Sequence, residues 1–419
     1  MDVRLAYGTA GLSIAVPDGT EIVEPIHRAA HPDPAAALGE ALRRPVAGPP
    51  LRRIAARGQR VAISVCDITR PQPREAMVRA VLDELDGIVA PRDVTILIAT
   101  GTHRASTLME REEMLGPEIH RVCTVIDHDA RDRATLVDLG RIDDVPVRLN
   151  RAWVDADLRI TTGFVEPHFF AGFSGGPKMV APGLAGLDTT LALHNARRIG
   201  SPRATWGVCE GNPVHDAIRA VAALAPPHYS LDVLLNGSQE ITRAFGGSLF
   251  EMHAAARDAA KDEAMREVDG TYDIVITTNS GYPLDRNLYQ AVKGMSAAAE
   301  IVARDGIIIC AAECRDGLPD EGGYAALLRQ GQSPDQLLNL IEQSPTTIPD
   351  QWQVQIQARV QQRARVLVHS DGLSVEALRR AHLESIDDIS AFISDFVRAR
   401  PDARLCALPQ GPQTIAYVA

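Results

Sequence analysis

Short runs of apolar, mostly β-branched residues alternate with longer amphipathic stretches in the first part of the chain. In chain order the pattern predicts strand 60–66, helix 74–84, strand 94–100, helix 106–115, and strands 122–126, 158–162 and 231–236. Continuous apolar strands separated by helices are typical of a parallel sheet that is covered on both faces. The pattern therefore predicts an α/β domain.

The alternation restarts after a long helix, rich in Ala and charged residues, that is predicted over 248–268. The later elements are strand 272–278, helix 287–304, strand 306–311, further helices to about 363, and strand 366–369. Such a restart indicates a second α/β domain. We predict two α/β domains with mainly parallel sheets and an active site in the cleft between them: a cofactor-binding domain over 1–269 and a C-terminal domain over 270–419. The tail at 408–419 could return to the first domain.

Composition narrows the class of protein. The 419 residues are 45% hydrophobic and 23% charged, as in ordinary globular proteins, and the formal net charge is -11. No dense basic run could follow a phosphate backbone, so we expect no nucleic-acid partner. The start of the chain lacks the pattern of a secretion signal, and no segment supplies the ~20 apolar residues of a membrane helix. We therefore expect a cytoplasmic protein without a membrane partner.

The six cysteines are scattered along the chain, and only Cys310 and Cys314 lie close together. This spacing favours reduced, buried thiols over disulfides or a zinc site made of cysteines.

Polar segments follow three of the strands predicted for the first domain. The segment DITRP at 67–71 contains Arg70, GTHR at 101–104 contains His103, and GFVEPH at 163–168 ends in His168. Loops beyond the carboxyl ends of parallel strands line the ligand crevice, so we expect these segments to face one cleft. Arg70 could grip a carboxylate, and both histidines could transfer protons near neutral pH. Helix capping remains open for Asp67 and Thr69, and a structural role satisfied by backbone remains open for His168.

The segment 163–194 places His168, Lys178 and His194 around a glycine-rich turn. A buried, unpaired cation is costly, so Lys178 either reaches water or is used chemically. The glycines at 172, 175 and 176 would let the backbone approach a ligand, and a following helix would offer N–H groups to a phosphate. The alternative is a solvated surface loop.

Two common nucleotide motifs are missing from the sequence. No Gly-x-Gly-x-x-Gly follows a strand, and the Gly-Gly-Pro-Lys stretch lacks the Walker spacing, which disfavours ordinary NAD or ATP binding. His194 could bind a borderline metal, but one histidine is a poor site without ligands from a bound cofactor. In the second domain Gln290 and Lys293 lie on one helical face and could reach one anionic ligand, although a solvated helix face is equally compatible.

Five motifs together resemble the nickel-dependent lactate racemase family (LarA-like) of 2-hydroxyacid racemases and epimerases. They are DITRP, TGTHR, EPHFFAGFSGGPK, the histidine of LHN, and YQAVKG, in the family's order and approximate spacing. The resemblance implies an isomerase that inverts a 2-hydroxy acid by reversible hydride transfer through a 2-oxo acid intermediate. All of the motif residue types are present.

The resemblance also implies a site. The cofactor would be a nickel-pincer nucleotide, which is a pyridinium-3-thioamide-5-thiocarboxylic acid mononucleotide with nickel. It would be attached covalently at Lys178, with His194 as a nickel ligand and with His103 and His168 as the acid–base pair. The implied substrate-binding residues are Arg70, Tyr289, Gln290 and Lys293. The implied cofactor-binding residues are Asp67, which could instead contact Arg70, together with Thr69, Gly172, Ser174, Gly175 and Gly176. The implied partners are a small-molecule 2-hydroxy acid and the cofactor-synthesis enzymes.

Two other hypotheses compete with this one. A zinc-dependent hydrolase or lyase would use His103, His168 and His194 to bind zinc with an activated water, but it leaves Lys178 unexplained. A non-catalytic cofactor-binding protein would not need two bases. The side chain of the 2-hydroxy acid is left open by the sequence, and Trp352 is a candidate pocket residue.

Overall fold

The computed structural model describes residues 1–319 and 322–418. Its strands are β1 (Asp2–Leu5), β2 (Leu12–Ala15), β3 (Glu21–Ile22), β4 (Val61–Cys66), β5 (Val94–Ala99), β6 (Thr124–Asp127), β7 (Leu136–Ile142), β8 (Val145–Asn150), β9 (Leu158–Phe164), β10 (Pro167–His168), β11 (Gly172–Phe173), β12 (Tyr229–Leu235), β13 (Ile241–Gly247), β14 (Met265–Val268), β15 (Tyr272–Thr278), β16 (Val302–Ala311), β17 (Ala364–His369), β18 (Glu384–Ser385), β19 (Leu405–Leu408) and β20 (Ile415–Val418).

The α-helices of the same residues are α1 (Pro34–Arg43), α2 (Leu51–Ile54), α3 (Arg74–Leu85), α4 (Leu108–Val122), α5 (Arg151–Val154), α6 (Leu187–Leu193), α7 (Ala196–Ile199), α8 (Pro213–Ala222), α9 (Leu249–Ala264), α10 (Leu288–Ala299), α11 (Tyr324–Leu328), α12 (Pro334–Gln343), α13 (Gln351–Arg363), α14 (Val375–Arg380) and α15 (Ile389–Ala399). Short 3-10 helices include Gly176–Met179.

The first sheet has the strand order β13-β12-β9-β4-β5-β6. Its pairs are parallel except for the antiparallel pair of β12 and β13. Strand β4 is buried along its whole length, as a continuous apolar run requires in a sheet covered on both faces. The apolar runs thus predicted five of its six strands, and they missed the antiparallel edge strand β13.

The order in which strands are added to this sheet reverses at β4. From β4 the chain adds β5 and β6 on one side, and it later adds β9 and β12 on the other. Such a switch point opens a crevice outside the carboxyl ends of the strands, because the connections leave toward opposite faces. The polar segments after β4, β5 and β9 therefore meet at one edge of the sheet.

The second sheet has the order β18-β17-β16-β15-β19-β3, and all of its strand pairs are parallel. Helices α10 and α13 pack together beside it. The protein is thus an α/β protein with two mainly parallel sheets, as the alternation of strands and helices predicted.

The start of the chain, which the prediction placed in the first domain over 1–269, pairs with the second sheet. Strand β3 pairs with β19 of the second sheet, and the β1–β2 hairpin buries Val3, Leu5 and Ile14 against Ile274 and Ile276. At the other end of the chain, β20 pairs with β14, so the tail returns to a strand within 1–269. Both pairings join segments that are distant in sequence, which periodicity does not record.

Three predicted helix ends also differ from the structure. The helix expected over 248–268 stops at Ala264, because the next four residues form β14 and pair with β20. The helix expected over 287–304 stops at Ala299, before β16 begins at Val302. Helix α4 continues to Val122, past a kink at Gly116.

All six cysteines are buried and free, as the spacing predicted. Among the described residues, no helix has both the length and the apolar character that crossing a bilayer would require.

Candidate active site

One cleft gathers most of the predicted site residues. It lies between the carboxyl ends of β4, β5 and β9 on one side and helices α10 and α13 on the other. The predicted residues that line it are Asp67, Arg70, His103, His168, Ser174, Gly175, Lys178, His194, Tyr289, Gln290 and Lys293. Thr69, Gly172 and Gly176 lie outside this lining.

Two buried side chains that the sequence analysis missed fix the turn after β4. Arg74 Nε donates to the carbonyl oxygen of Cys66 at 2.7 Å, and the same guanidinium donates to the carbonyl oxygens of Asp67 and Arg70. Gln72 Oε1 accepts from the N–H of Cys66 at 2.6 Å. The turn that carries Asp67 and Arg70 is therefore rigid. The sequence signal was an arginine in the first turn of a helix, which is ordinarily solvated.

Asp67 contacts His103, and neither the cofactor nor Arg70 is needed to explain its position. Asp67 Oδ2 lies 2.5 Å from His103 Nδ1, and Thr69 Oγ1 donates to Asp67 Oδ1 at 2.7 Å. Burial alone would raise the pKa of Asp67, but the hydrogen bond and charge of His103, the charge of Arg70 and the hydrogen bond from Thr69 together lower it. An ionised Asp67 accepts a hydrogen bond from the Nδ1–H of His103. The lone pair of the neutral His103 ring is then on Nε2.

His168 lies on a short hairpin formed by β10 and β11. Its Nδ1 faces the N–H groups of Phe170 at 3.5 Å and Ala171 at 3.3 Å, so the proton of the neutral ring belongs on Nε2. Burial and the nearby Lys178 and Lys293 hold the pKa of His168 well below its usual value. His168 is therefore neutral near pH 7 and directs an N–H donor toward the cleft.

Lys178 lies in the 3-10 helix that follows the glycine turn, and its Nζ is 5.7 Å from the centre of the Phe170 ring. Burial lowers the pKa of Lys178 well below its ordinary value, and the charges of Arg70 and Lys293 lower it further. A lowered pKa raises the fraction of the lysine that is the neutral, nucleophilic amine. The solvated-loop alternative for this segment is wrong, because none of the residues 163–194 is exposed.

The glycines of the segment pack against protein rather than opening to a phosphate. The N–H of Gly176 donates to Asp232 Oδ2 at 2.7 Å, so it is not free for an anion. A Cβ at Gly172 would lie 2.4 Å from the carbonyl oxygen of Val208. Gly172 and Gly176 therefore serve the close packing of the backbone, and only Gly175 of the three lines the cleft.

His194 caps the carboxyl end of α6 and lies between two aromatic rings. Its Nδ1 lies 2.7 Å from the carbonyl oxygen of Thr190, which places the ring proton on Nδ1 and the lone pair on Nε2. Its ring centre is 4.7 Å from Trp352 and 5.3 Å from Phe170. Burial lowers the pKa of His194 to about 4, so the ring is neutral and can bind a metal.

The described residues contain no group of three or more His, Cys, Asp or Glu side chains arranged to hold a metal ion. The three histidines therefore do not form the ligand set that the zinc hypothesis requires. A single neutral imidazole at His194 fits a metal whose other ligands come from an organic cofactor.

The second domain contributes α10 and α13 to the cleft. Trp352 Nε1 donates to the hydroxyl of Tyr289 at 3.2 Å, and Gln353 donates to the carbonyl oxygen of Tyr289. Burial and the charge of Arg70 lower the pKa of Lys293 to about 7. Trp352, the candidate pocket residue, therefore lines the site beside Tyr289 and Lys293.

Glu166 also lines the cleft, although the sequence analysis gave it no role. Burial raises the pKa of Glu166, while the charges of Arg70, Lys293 and Lys178 oppose that rise. Its position in the EPH segment, two residues before His168, was the available signal. Arg70 and a Lys293 that can take up a proton lie in this cleft, so it can bind a small anionic ligand such as a carboxylate.

Comparisons with known proteins agree along the length of the chain. A model of the lactate racemase N-terminal domain matches residues 7–207, and a model of the lactate racemase C-terminal domain matches residues 268–416. A lactate racemase from Thermoanaerobacterium thermosaccharolyticum is 32% identical over 425 residues, which cover 99% of each protein. A lactate racemase from Lactiplantibacillus plantarum is 33% identical over 377 residues, which cover 89% of this chain and 88% of that protein.

Two solved structures resemble this chain. The lactate racemase apoprotein from Thermoanaerobacterium thermosaccharolyticum superposes with a TM-score of 0.93 at 31% identity, covering 99% of this chain and 100% of that one. A crystal structure of a Thermotoga maritima protein superposes with a TM-score of 0.70 at 17% identity, covering 94% of this chain and 100% of that one. The second likeness shows the fold alone.

Proposed function

Because this chain belongs to the lactate racemase family of 2-hydroxyacid racemases and epimerases, we propose that it inverts C2 of a 2-hydroxy acid with a nickel-pincer nucleotide. The observation that supports this most is the placement of the two histidines. His103 follows β5 and His168 follows β9, the strands on either side of β4, so they flank Arg70 in one cationic cleft.

Two residues fit the proposed cofactor. The neutral amine of Lys178 is the group that a covalent attachment requires, and the free lone pair on Nε2 of His194 suits nickel. When bound, this cofactor would accept and return the hydrogen of C2 as hydride, so that inversion passes through a planar 2-oxo acid and avoids a carbanion.

Arg70 and Lys293 would bind the substrate carboxylate. The guanidinium can make a bidentate contact, and a carboxylate beside Lys293 favours the charged ammonium of a group whose pKa lies near 7. Gln290 shares the α10 face with Lys293 and can hydrogen-bond the substrate hydroxyl. With the carboxylate held in place, the reaction changes only the configuration at C2.

His103 would take the hydroxyl proton on Nε2, and ionised Asp67 would stabilise the imidazolium that forms. His168 would donate its Nε2 proton as a hydrogen bond to the substrate oxygen. To act as the base for the opposite enantiomer, it would carry its proton on Nδ1 instead, so its ring would have to turn away from the N–H groups of Phe170 and Ala171. Each base of this kind is worth about 10²–10⁴ in rate. A cofactor carrier would need neither.

The test is racemisation in D₂O with protein produced alongside the cofactor-synthesis enzymes. Single enantiomers of a panel of 2-hydroxy acids are incubated with the protein and separated by chiral chromatography, and deuterium at C2 is measured by mass spectrometry. Hydride transfer predicts that product keeps its own hydrogen at C2. Substrate deuterated at C2 should keep its label and show a primary isotope effect.

Stoichiometric uptake of solvent deuterium at C2 would contradict hydride transfer. No turnover of any panel member by protein that carries the cofactor would favour the carrier hypothesis.

A further inference from the structure

A carboxylate lies at the centre of β12, beneath the glycine turn, where an apolar side chain would be expected. Asp232 is 0% exposed, and its Oδ2 accepts from the N–H of Gly176 at 2.7 Å. Its Oδ1 accepts no hydrogen bond, and no basic side chain pairs with it, within the described ranges. A buried carboxylate without a cation is costly, so its one contact with the turn calls for a reason.

A histidine from another element holds the same turn. His253 lies on α9 and is also 0% exposed, and its Nε2 donates to the carbonyl oxygen of Ser174 at 2.8 Å. The two buried side chains therefore bind the backbone on both sides of Gly175, three residues before Lys178.

The turn also leaves no space for movement toward either side chain. A Cβ at Gly175 would lie 2.7 Å from Asp232 Oδ2, and a Cβ at Gly176 would lie 2.4 Å from Cγ of His253. Real Cβ atoms do not approach other atoms so closely, so the glycine backbone fills the gap between the two side chains.

We infer that Asp232 and His253 are positioning residues that lock the backbone of the turn and thereby hold the Lys178 amine in the cleft. The consequence for cofactor attachment rests on the proposed function, whereas the position of the amine does not. Neither residue lines the cleft, so each would act on Lys178 only through the turn.

The test uses the protein without cofactor and measures Lys178 itself. Brief pulses of acetic anhydride at different pH values, followed by peptide mass spectrometry, report the pH at which the Lys178 amine becomes reactive. In the unmodified protein this midpoint should lie well below the ~10.4 of an ordinary lysine. The charged and titratable neighbours that set it include Arg70, Lys293, Glu166 and Cys209, and every variant leaves them intact.

Asp232→Ala and His253→Phe should each raise the midpoint by about one pH unit or more, because a released turn lets the ammonium reach water. Asp232→Asn keeps an acceptor for Gly176, and His253→Gln keeps a donor for Ser174. Both conservative variants should retain the low midpoint. This outcome separates positioning from charge, since Asp232→Asn removes the charge alone.

Ser230→Ala is the matched control. Ser230 is buried on the same strand and side as Asp232, and it accepts a hydrogen bond from Thr161 at 2.8 Å. Its loss should lower stability without moving the Lys178 midpoint. Asp232 and His253 lie on different elements, so one folded variant is enough for the test. The inference fails if a folded Asp232→Ala or His253→Phe keeps the original midpoint, or if Ser230→Ala moves it equally.

Cells that make the cofactor provide a second measurement. The fraction of Lys178 carrying the nucleotide mass should fall at least about tenfold in Asp232→Ala and His253→Phe, and it should persist in the conservative variants. If the unmodified protein carries no such mass, the proposed cofactor is wrong, while the acetylation profile still decides the positioning role.

Discussion

At the scale of single residues, the hydrogen bond between Asp67 and His103 sets which nitrogen of His103 can accept a proton. We predict that Asp67→Asn lowers the turnover rate by about 10²–10⁴-fold. A neutral amide no longer stabilises the imidazolium of His103, and it no longer selects the tautomer of the neutral ring. Initial rates from each enantiomer measure the effect.

Thr69→Val provides the comparison for this substitution. It removes only the hydroxyl that donates to Asp67 Oδ1, a loss of about 1 kcal/mol, so the rate should fall less than about tenfold. Equal losses in Asp67→Asn and Thr69→Val would contradict the role given to the carboxylate.

His194 carries a prediction about the metal. His194→Ala should keep the organic mass at Lys178 and lose nickel, because the only imidazole lone pair assigned to the metal is removed. Elemental analysis and intact-protein mass spectrometry measure the two quantities together. His168→Ala, which changes a histidine without that assignment, should retain nickel. Full nickel occupancy in His194→Ala would move the ligand role to another residue.

At the scale of an element, the glycine turn combines a left-handed backbone with close packing. Gly176 has φ +49°, and its Cβ position is occupied by the His253 ring, whereas Gly58 has φ +80° with nothing within 4 Å. Gly58→Ala should cost about 1–2 kcal/mol of unfolding free energy from backbone strain alone. Gly176→Ala should cost a further ~1–3 kcal/mol from overpacking. Denaturant unfolding measures both, and equal costs would show that packing at the turn is loose.

Helix α13 joins the two halves of the site. Gln355 donates to the carbonyl oxygen of Ala196 at 2.9 Å, and Arg359 donates to that of Gly200 at 2.7 Å, both at helix α7 of the first domain. These bonds hold Trp352 beside His194, so the wall of the cleft depends on contacts between both domains.

At the scale of the whole molecule, several buried or half-buried histidines have lowered pKa values. Burial lowers the pKa of each member of this group, which comprises His128, His168, His194, His215 and His253. A lowered pKa means that the unfolded chain binds protons more readily, so the stability contributed above pH 6.5 is lost as the pH falls. The carboxyls of half-buried Glu166 and buried Asp232 have raised pKa values, about 7 for Asp232, and therefore oppose this trend.

His215 allows this effect to be measured for a single histidine. Burial lowers its pKa to about 4, and neither ring nitrogen has a hydrogen-bond partner among the described residues. We compare the unfolding free energy of His215→Phe with that of the unmodified protein. This difference should favour the variant by about 2 kcal/mol more at pH 5 than at pH 7.5. Urea unfolding at both pH values measures this, and a difference that is independent of pH would show that folding does not lower the pKa of His215.

The sequence by itself determined the element types and the family of this protein. Strand 272–278 was predicted with its observed ends, since a β-branched apolar run between polar segments has few alternatives. The motif order identified the lactate racemase family, which the domain matches confirm. The roles assigned to the motif residues stay predictions, although most of these residues line one cleft.

Only the tertiary structure decided which residues meet across long distances. The two-residue strand β3 and the four-residue strand β20 are too short to show a period, and each forms because a distant strand offers its edge. The contact of Asp67 with His103 and the support of the glycine turn by Asp232 likewise join separate elements. Burial, which lowers the pKa of Lys178, is the sum of packing by many segments, and no local pattern of residues contains that sum.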